Sequence, residues 1–409
     1  MTKYGTSPWT DLWAPSRVPE HAPHRGSLTV DVVIVGAGLT GCLTAQALSA
    51  AGVKVAILDA ARVGRGATGS AIGLIAEEPG VSFAASEKAL GPRASRHVFR
   101  AWRRAALDLS ALFRRLDVKC RLQSQSALTV ARTAEQAAWL AGERKARRAA
   151  AFDVPLLAAR AVAGELAVDA TSATRDKSAA TVDPYRACQG VAAVAARGGA
   201  HVFERSAVRR ITFGRKTVDV LTAAGAEVHA AHVVVTTGLP TPLFTSLARH
   251  FKYETTYLVL TDPVPAVVRK QMGRRSSTLR DLEEPPHVVR WLEDERLMIA
   301  GATAPSVPER LRAKALAQRT GQLMYELSTL YPVMAGLPPA YGWDAPHART
   351  ADGLPYVGPH RNFPRHLFAF GDSSGSMSGA YLASRILTRH ILGDADPADA
   401  VFDFTRHGR

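Results

Sequence analysis

The apolar run DVVIVG stops at glycine and gives way to LTGCLTAQALSAAG, where Leu43, Ala47 and Ala50/Ala51 recur at helical spacing. A second apolar run, VKVAILDA, follows directly. Near-continuous apolar runs suit strands covered on both faces, so residues 31–60 predict one βαβ unit of a parallel sheet. Residues 86–118 carry a long amphipathic helix, with Val98, Trp102, Ala105, Leu109, Leu112 and Leu116 on one face. Arg96, Arg100, Arg103, Arg104, Arg114 and Arg115 take its other faces, as a solvated surface or a seat for an anionic partner. The same choice applies to Arg144, Lys145, Arg147 and Arg148.

Residues 182–236 return to the first pattern. VDPYRACQGVAAVAARGG predicts a helix, AHVFE a strand, GRK the tip of a hairpin, and AEVHAAHVVVTTG further strand. Residues 252–303 carry mainly strand patterns and 308–331 a helix. HLFAFGD and SGAYLASRILTRHIL close the chain as strand and helix. The order implies an α/β nucleotide-binding domain built from 31–84, 182–245 and 337–409. A second, sheet-rich α+β domain from 85–181 and 246–336 is inserted between those segments. Residues 1–30 form a Pro-rich arm, pinned to the body by Trp9 and Trp13 or free to dock a partner.

Composition narrows the class. The 409 residues are 47% hydrophobic and 21% charged, which is ordinary globular material. The net charge of +15 permits an anionic partner, but Arg far outnumbers Lys beside abundant Ala and Gly, which reads as compositional bias rather than a nucleic-acid surface. Cys42, Cys120 and Cys188 are odd in number and widely spaced, so neither a disulfide framework nor a metal site is expected. No stretch approaches the roughly 18 uninterrupted apolar residues of a spanning helix, and the first residues lack a signal-peptide layout. A soluble, cytoplasmic protein is the expectation.

VVIVGAGLTG is a G-x-G-x-x-G turn between strand and helix. Gly36 permits the tight turn, Gly38 lets a pyrophosphate approach the backbone, and Gly41 lets helix and strand pack closely. Asp59 ends the second strand about 20 residues on, where a carboxylate meets the adenosine ribose and disfavours a 2′-phosphate. NAD and FAD remain. A second small-residue loop, RVGRGATGSAIGLIAEEPG, carries Gly64, Gly66, Gly69 and Gly73 with Thr68 and Ser70. NAD domains do not usually need such a loop, so it points to FAD.

These motifs, with TADGLPYVGPHRNFPRHLFAFGDSSGSMSGAYLASRILTRHILG near the far end, resemble FAD-dependent oxidoreductases of the D-amino-acid oxidase/glycine–sarcosine oxidase superfamily. The resemblance runs from residue 31 to about 393. It implies a Rossmann-like FAD domain whose pyrophosphate lies at Gly36, Ala37, Gly38, Thr40 and Gly41, with the ribose at Asp59 and Ala60. It places Gly66, Ala67, Thr68 and Ser70 on phosphate and ribityl groups, and Gly73 and Leu74 against the flavin ring. Val208 clasps the adenine, and Thr237 and Gly238 close over the pyrophosphate. Gly371, Asp372, Ser373, Ser374 and Gly375 lead a helix N-terminus toward the flavin. Asp372 departs from the His or Gly of many relatives and could bond the ribityl chain instead. With no Cys after Cys188 and no His in GATGSAIGLI, the FAD is expected to be non-covalent.

The family moves a hydride equivalent from a C–H beside nitrogen, or sometimes oxygen, to flavin N5, and the imine then hydrolyses. The expected substrate is a small amine or amino-acid-like molecule, with oxygen or another compound as electron acceptor. Relatives that grip a substrate carboxylate often place an Arg six residues before the Gly of D-G-x-P; this chain has His347 there. His347 is thus a candidate acid, base or hydrogen-bond anchor, or a structural turn residue. Tyr257 is a candidate to bond or stack on substrate, or else a core residue. Arg290 is a candidate anion binder, or a surface partner of Glu293. A hydroxy-acid or alcohol dehydrogenase feeding a quinone is the alternative activity, and an RNA-binding FAD-fold protein the non-redox one.

Overall fold

The computed structural model describes residues 1–372 and 374–406. Val32–Val35 and Val55–Leu58 are central in a six-stranded sheet, with Leu39–Ala50 as the helix between them. From one edge the sheet runs His201–Phe203, Val55–Leu58, Val32–Val35, His232–Gly238, Phe363–Phe370, Tyr356–His360. All neighbours are parallel except the last pair. Successive side chains of a strand point to opposite faces, and both faces here are dry. Val32 and Ile34 join a core under the helices Leu39–Ala50, Pro92–Arg115, Pro184–Arg197 and Ser378–Leu392. Val33 and Val35 join a second core under a four-stranded sheet that contains the hairpin Val208–Phe213/Val218–Thr222.

A nine-stranded sheet forms the second layer system. Its long strands are Pro339–Arg349, Lys252–Thr261 and Leu297–Pro305, paired antiparallel through most of their length. Helix Glu309–Leu330 covers one face, where Tyr257, Val259, Leu316, Leu323 and Leu327 share a core. A three-stranded ribbon of Leu74–Ile75, Ala180–Thr181 and Gln123–Ser124 carries the chain between the two sheets.

Two segments lie on the other side from the grouping the sequence suggests. Residues 339–349 run in the nine-stranded sheet, because this strand pairs with 252–261 from Lys252↔Arg349 onward. Helix Pro92–Arg115 packs against the nucleotide sheet's helices, with Trp102 fully buried beside Leu43 and Ile386 in one core. The solvated-face reading also fails at Arg147. Its guanidinium is buried between Glu143, 2.9 Å away, and Glu78, because Phe83 and Ala84 bring the loop before them onto this helix.

The arm is pinned. Lys3–Tyr4 adds a parallel edge strand beside Tyr341 and Gly342. The Trp9 indole is buried and donates to the Ala71 carbonyl at 2.9 Å, while Ser7 donates to the Gly69 carbonyl. Trp13 meets Tyr185 edge-on at 5.7 Å. The arm thereby holds the second glycine-rich loop from outside. Among the described residues, no helix is long and apolar enough to cross a membrane.

Candidate active site

Backbone sterics build the first wall of the site. Gly36 has φ +107, and a Cβ there would lie 3.1 Å from the Thr236 carbonyl group of the neighbouring strand. A Cβ on Gly41 would lie 2.1 Å from the Gly36 carbonyl oxygen, so helix and turn can only approach this closely through glycine. Gly38 caps the helix Leu39–Ala50 without any side-chain bond, leaving bare backbone and the positive end of the helix toward the cavity. Thr68 reaches across from the second loop, and its Oγ1 accepts the Leu39 N–H at 3.0 Å. The two loops are therefore tied at the point where a diphosphate would cross.

Asp59 orders the turn from the end of its strand. Its carboxylate accepts the Ala37 N–H at 2.7 Å and the Ala61 N–H at 2.8 Å. Burial pushes the carboxyl above its ordinary pKa, and these amide bonds only partly oppose the rise.

A single cavity of about 2130 Å³ runs from this turn to the nine-stranded sheet. Val208, Asp59 and Ala60 line its first end; Gly36, Gly38, Thr40, Gly66, Ala67, Thr68, Ser70, Thr237 and Gly238 line its middle. Leu74, His347, Gly371, Asp372, Ser374 and Gly375 line it farther on, with Glu254, Thr256 and Thr303. Drug-sized ligands occupy roughly 300–1,000 Å³, so a dinucleotide and a substrate fit together here. Ser373 lies outside the described residues.

Three expected cofactor residues support the cavity from behind. The Ala37 amide is engaged by Asp59, Gly41 packs under Gly36, and Gly73 faces away, where a Cβ would sit 2.3 Å from the Val182 carbonyl oxygen.

At the far end, Asp372 faces the cavity ahead of helix Ser378–Leu392. It accepts the Ser374 N–H at 3.0 Å and the Ser374 hydroxyl at 2.7 Å. One carboxylate oxygen lies 2.0 Å from where a Gly379 Cβ would stand, so the helix start needs glycine under this carboxylate. Asp372 is open to the cavity, and the surrounding protein raises its pKa against the opposing Ser374 bonds and the nearby His347. His347 stands opposite Glu254 in the register of two antiparallel strands. Its Nε2 is 3.8 Å from Glu254, and Arg349 Nε is 3.2 Å from the same carboxylate.

Two candidate catalytic residues prove structural. Tyr257 is buried among Leu316, Leu323 and Leu327 on the helix side of its sheet, not on the cavity side. The parity of the strand decides this: Glu254, Thr256 and Leu258 reach the cavity, and the residue between the last two cannot. Arg290 is neither an anion site nor a surface residue. It is buried, and its Nη1 donates to the carbonyls of Ile72, Gly73 and Val182 at 2.8, 2.9 and 3.0 Å. It clamps the loop before Leu74 from behind.

Sequence reasoning passed over Glu254 and the hydrogen-bonded pair Thr256–Thr303. The available signal was a polar start, Glu254 to Thr256, ahead of the apolar run Tyr257–Leu260 in one strand. Arg312, bidentate on Asp344 at 2.8 and 2.9 Å, also lines this end and carried no local signal.

Comparison with known proteins agrees with this architecture. Residues 31–390 match the family model for FAD dependent oxidoreductases. Gamma-glutamylputrescine oxidoreductase of Escherichia coli (strain K12) is 26% identical over 383 residues, covering 91% of this chain and 86% of that protein. Glycine oxidase from Geobacillus kaustophilus has the same fold, with a TM-score of 0.77 at 20% identity over 93% of this chain and 99% of its own. L-Amino acid deaminase from Proteus myxofaciens gives a TM-score of 0.76 at 16% identity, covering 99% of both chains. The family match spans most of the chain and takes in both the glycine turn and the sheet face that wall the cavity, and this chain belongs to the FAD dependent oxidoreductases.

Proposed function

We propose that this chain oxidises the C–N bond of a small amine or amino-acid-like molecule. The observation that carries the reading is the unbroken cavity from Asp59 to His347 and Glu254. It offers room for FAD beside the glycine turn and for a substrate against the nine-stranded sheet. Gly36, Gly38, Thr40, Thr68, Thr237 and Gly238 would hold the pyrophosphate, Asp59 and Ala60 the ribose, and Val208 the adenine. Bound FAD supplies a two-electron acceptor for the C–H beside the substrate nitrogen. The walls orient the substrate and exclude water; the resulting imine hydrolyses in solvent. A non-covalent FAD is supported by a far-end lining without cysteine.

Similarity to proteins named for gamma-glutamylputrescine, glycine and L-amino acids supports C–N chemistry. The charged groups facing the sheet end include Glu254, Asp372 and Arg349, with the His347 ring beside them, and the Arg312 charge is matched by Asp344. This set suits an amine better than a free carboxylate. The three buried, unpaired thiols support a reducing compartment such as the cytoplasm. The unit built on the six-stranded sheet would bind the cofactor and the nine-stranded sheet would select the substrate.

The test is the visible flavin spectrum of the holoenzyme under anaerobic conditions, with gamma-glutamylputrescine, sarcosine, benzylamine, n-butylamine, amino acids and hydroxy acids added in turn. Bleaching by an amine or amino acid is expected. Bleaching by hydroxy acids alone would overturn the reading. Admitting oxygen after bleaching then tells whether oxygen or another compound is the acceptor.

A further inference from the structure

His347 has a defined tautomer. Its Nδ1 is 3.3 Å from the Ala345 carbonyl oxygen, which can only accept, so Nδ1 carries the proton of the neutral ring. Nε2 then holds a lone pair on the cavity side. The 3.8 Å between Nε2 and Glu254 Oε2 is too long for a hydrogen bond, as expected while Nε2 has no proton to donate. Glu254 is held at its other oxygen, where Oε1 takes Arg349 Nε at 3.2 Å. The free oxygen is thus the one that faces the imidazole. Strand pairing makes this arrangement rigid: Glu254 and His347 are direct cross-strand partners, and Lys252 and Arg349 are the next pair on that face. The groups facing the ring are Glu254 from the neighbouring strand, Arg349 from its own, and Asp372 from the segment ahead of the last helix. Arg349 is taken up by Glu254 Oε1, and Glu254 Oε2 and Asp372 are left to receive a cation beside the ring.

We infer that Nε2 of His347 accepts the proton of the substrate's ammonium group, with Glu254 as its positioning residue. This rests on the amine-oxidation reading above. An aliphatic amine is almost wholly protonated at neutral pH and has no lone pair to assist loss of the adjacent C–H. The step breaks one N–H bond and forms one Nε2–H bond. The electron pair stays on the substrate nitrogen and the positive charge passes to the imidazole, where Glu254 faces it. No oxidant or reductant is consumed. The proton leaves to water when the product does.

The experiment uses FAD-loaded wild type, H347N, H347Q, H347A and E254Q, each first checked for flavin content and melting temperature. The probe is whichever of gamma-glutamylputrescine, sarcosine, benzylamine or n-butylamine bleaches the wild-type flavin. Anaerobic stopped flow then gives the reduction rate constant and the amine dissociation constant from pH 6 to 10. A general base contributes roughly 10²–10⁴-fold, so H347N and H347Q should slow reduction about 100-fold at pH 7 with little change in binding. Their rise of rate with pH should move up toward the pKa of the amine itself, and exogenous imidazole should restore H347A. E254Q should slow reduction about tenfold with the amine dissociation constant unchanged. A purely structural Glu254 would lower the melting temperature and leave the reduction rate constant of the folded enzyme as it is.

An H347N enzyme that is reduced as fast as wild type with the same pH profile overturns the inference. So does a loss confined to the dissociation constant, which would make His347 an anchor. Nitrogen-15 correlation spectra of the wild-type holoenzyme, with His347 assigned through H347N, should show the Nδ1–H tautomer; the Nε2–H tautomer overturns the inference whatever the substrate. A wild-type flavin that no amine bleaches overturns the underlying reading instead, and this inference falls with it.

Discussion

Replacing Arg290 by Met keeps an unbranched apolar stem and removes the donors. In the wild type, Nη1 serves three buried carbonyls within 3.0 Å, and the guanidinium lies 5.5 Å from the Trp9 ring with no ion pair among the described residues. Burial without a counter-ion pushes its pKa down to about 10. A hydrogen bond to a charged group is worth about 1.5–3 kcal/mol net, and the two hydrogens of Nη1 are shared among the three carbonyls. With the Gly73 carbonyl partly served from elsewhere, the loss in R290M is about 2–4 kcal/mol. The Gly73 carbonyl keeps a second donor in the Val182 N–H at 2.9 Å, so the damage concentrates at Ile72 and Val182. At about 2.1 cal/mol/K of unfolding entropy per residue, this lowers Tm by roughly 2–5 °C if the chain melts as one unit. Since Ile72 and Leu74 line the cavity, FAD should also bind more weakly. The assay is thermal unfolding followed by circular dichroism and flavin release, together with an FAD titration by fluorescence. An R290M protein with wild-type Tm and FAD affinity would refute the clamp. If Arg290 were instead a substrate anchor, R290M would keep its Tm and lose only substrate affinity.

Other outcomes follow from single contacts. G41A forces a Cβ to 2.1 Å from the Gly36 oxygen and 2.7 Å from Thr236 Oγ1; overpacking of this kind costs about 1–3 kcal/mol or more, and FAD should be lost on gel filtration. G66A meets nothing within 4 Å and should melt as the wild-type apoprotein does, which makes it the control. D59A removes the acceptor for the Ala37 and Ala61 amides and the proposed ribose contact; FAD affinity should fall about 10- to 100-fold in a fluorescence titration. Burial and the neighbouring Glu77 push Asp176 up to about 7, so the folded chain holds a proton there that the unfolded chain has released. Stability from this group therefore declines as pH rises from about 4 toward 7. D176N should raise Tm relative to wild type at pH 8 and leave it little changed at pH 5; the opposite order in a melting series would refute the assignment.

Much of the cofactor end was legible because it is written in local chemistry. A strand–turn–helix with glycines at three set positions, followed by a carboxylate at the end of the next strand, admits few other meanings. The sheet end was less legible. The sequence leaves Tyr257 as either a substrate contact or a core residue, and one residue of parity decides for the core and turns Glu254 and Thr256 toward the cavity. A register shift between Thr255 and Tyr257 makes that parity hard to count from a neighbouring strand. The burial of Arg147 and Arg290 was not legible because it depends on remote residues: Glu78 beside Arg147, and for Arg290 backbone carbonyls more than 100 residues away.

The sequence alone determined the α/β class, the dinucleotide turn, the second small-residue loop and the closing strand and helix. These depend on hydrophobic period and on backbone conformations that glycine permits, and both are local properties. Tertiary structure decided which sheet received residues 339–349, which face of strand 252–261 met the cavity, and what the buried arginines held. Strand pairing, register and burial join residues far apart in the chain, so the chemistry of each contact depends on a partner that no local pattern names.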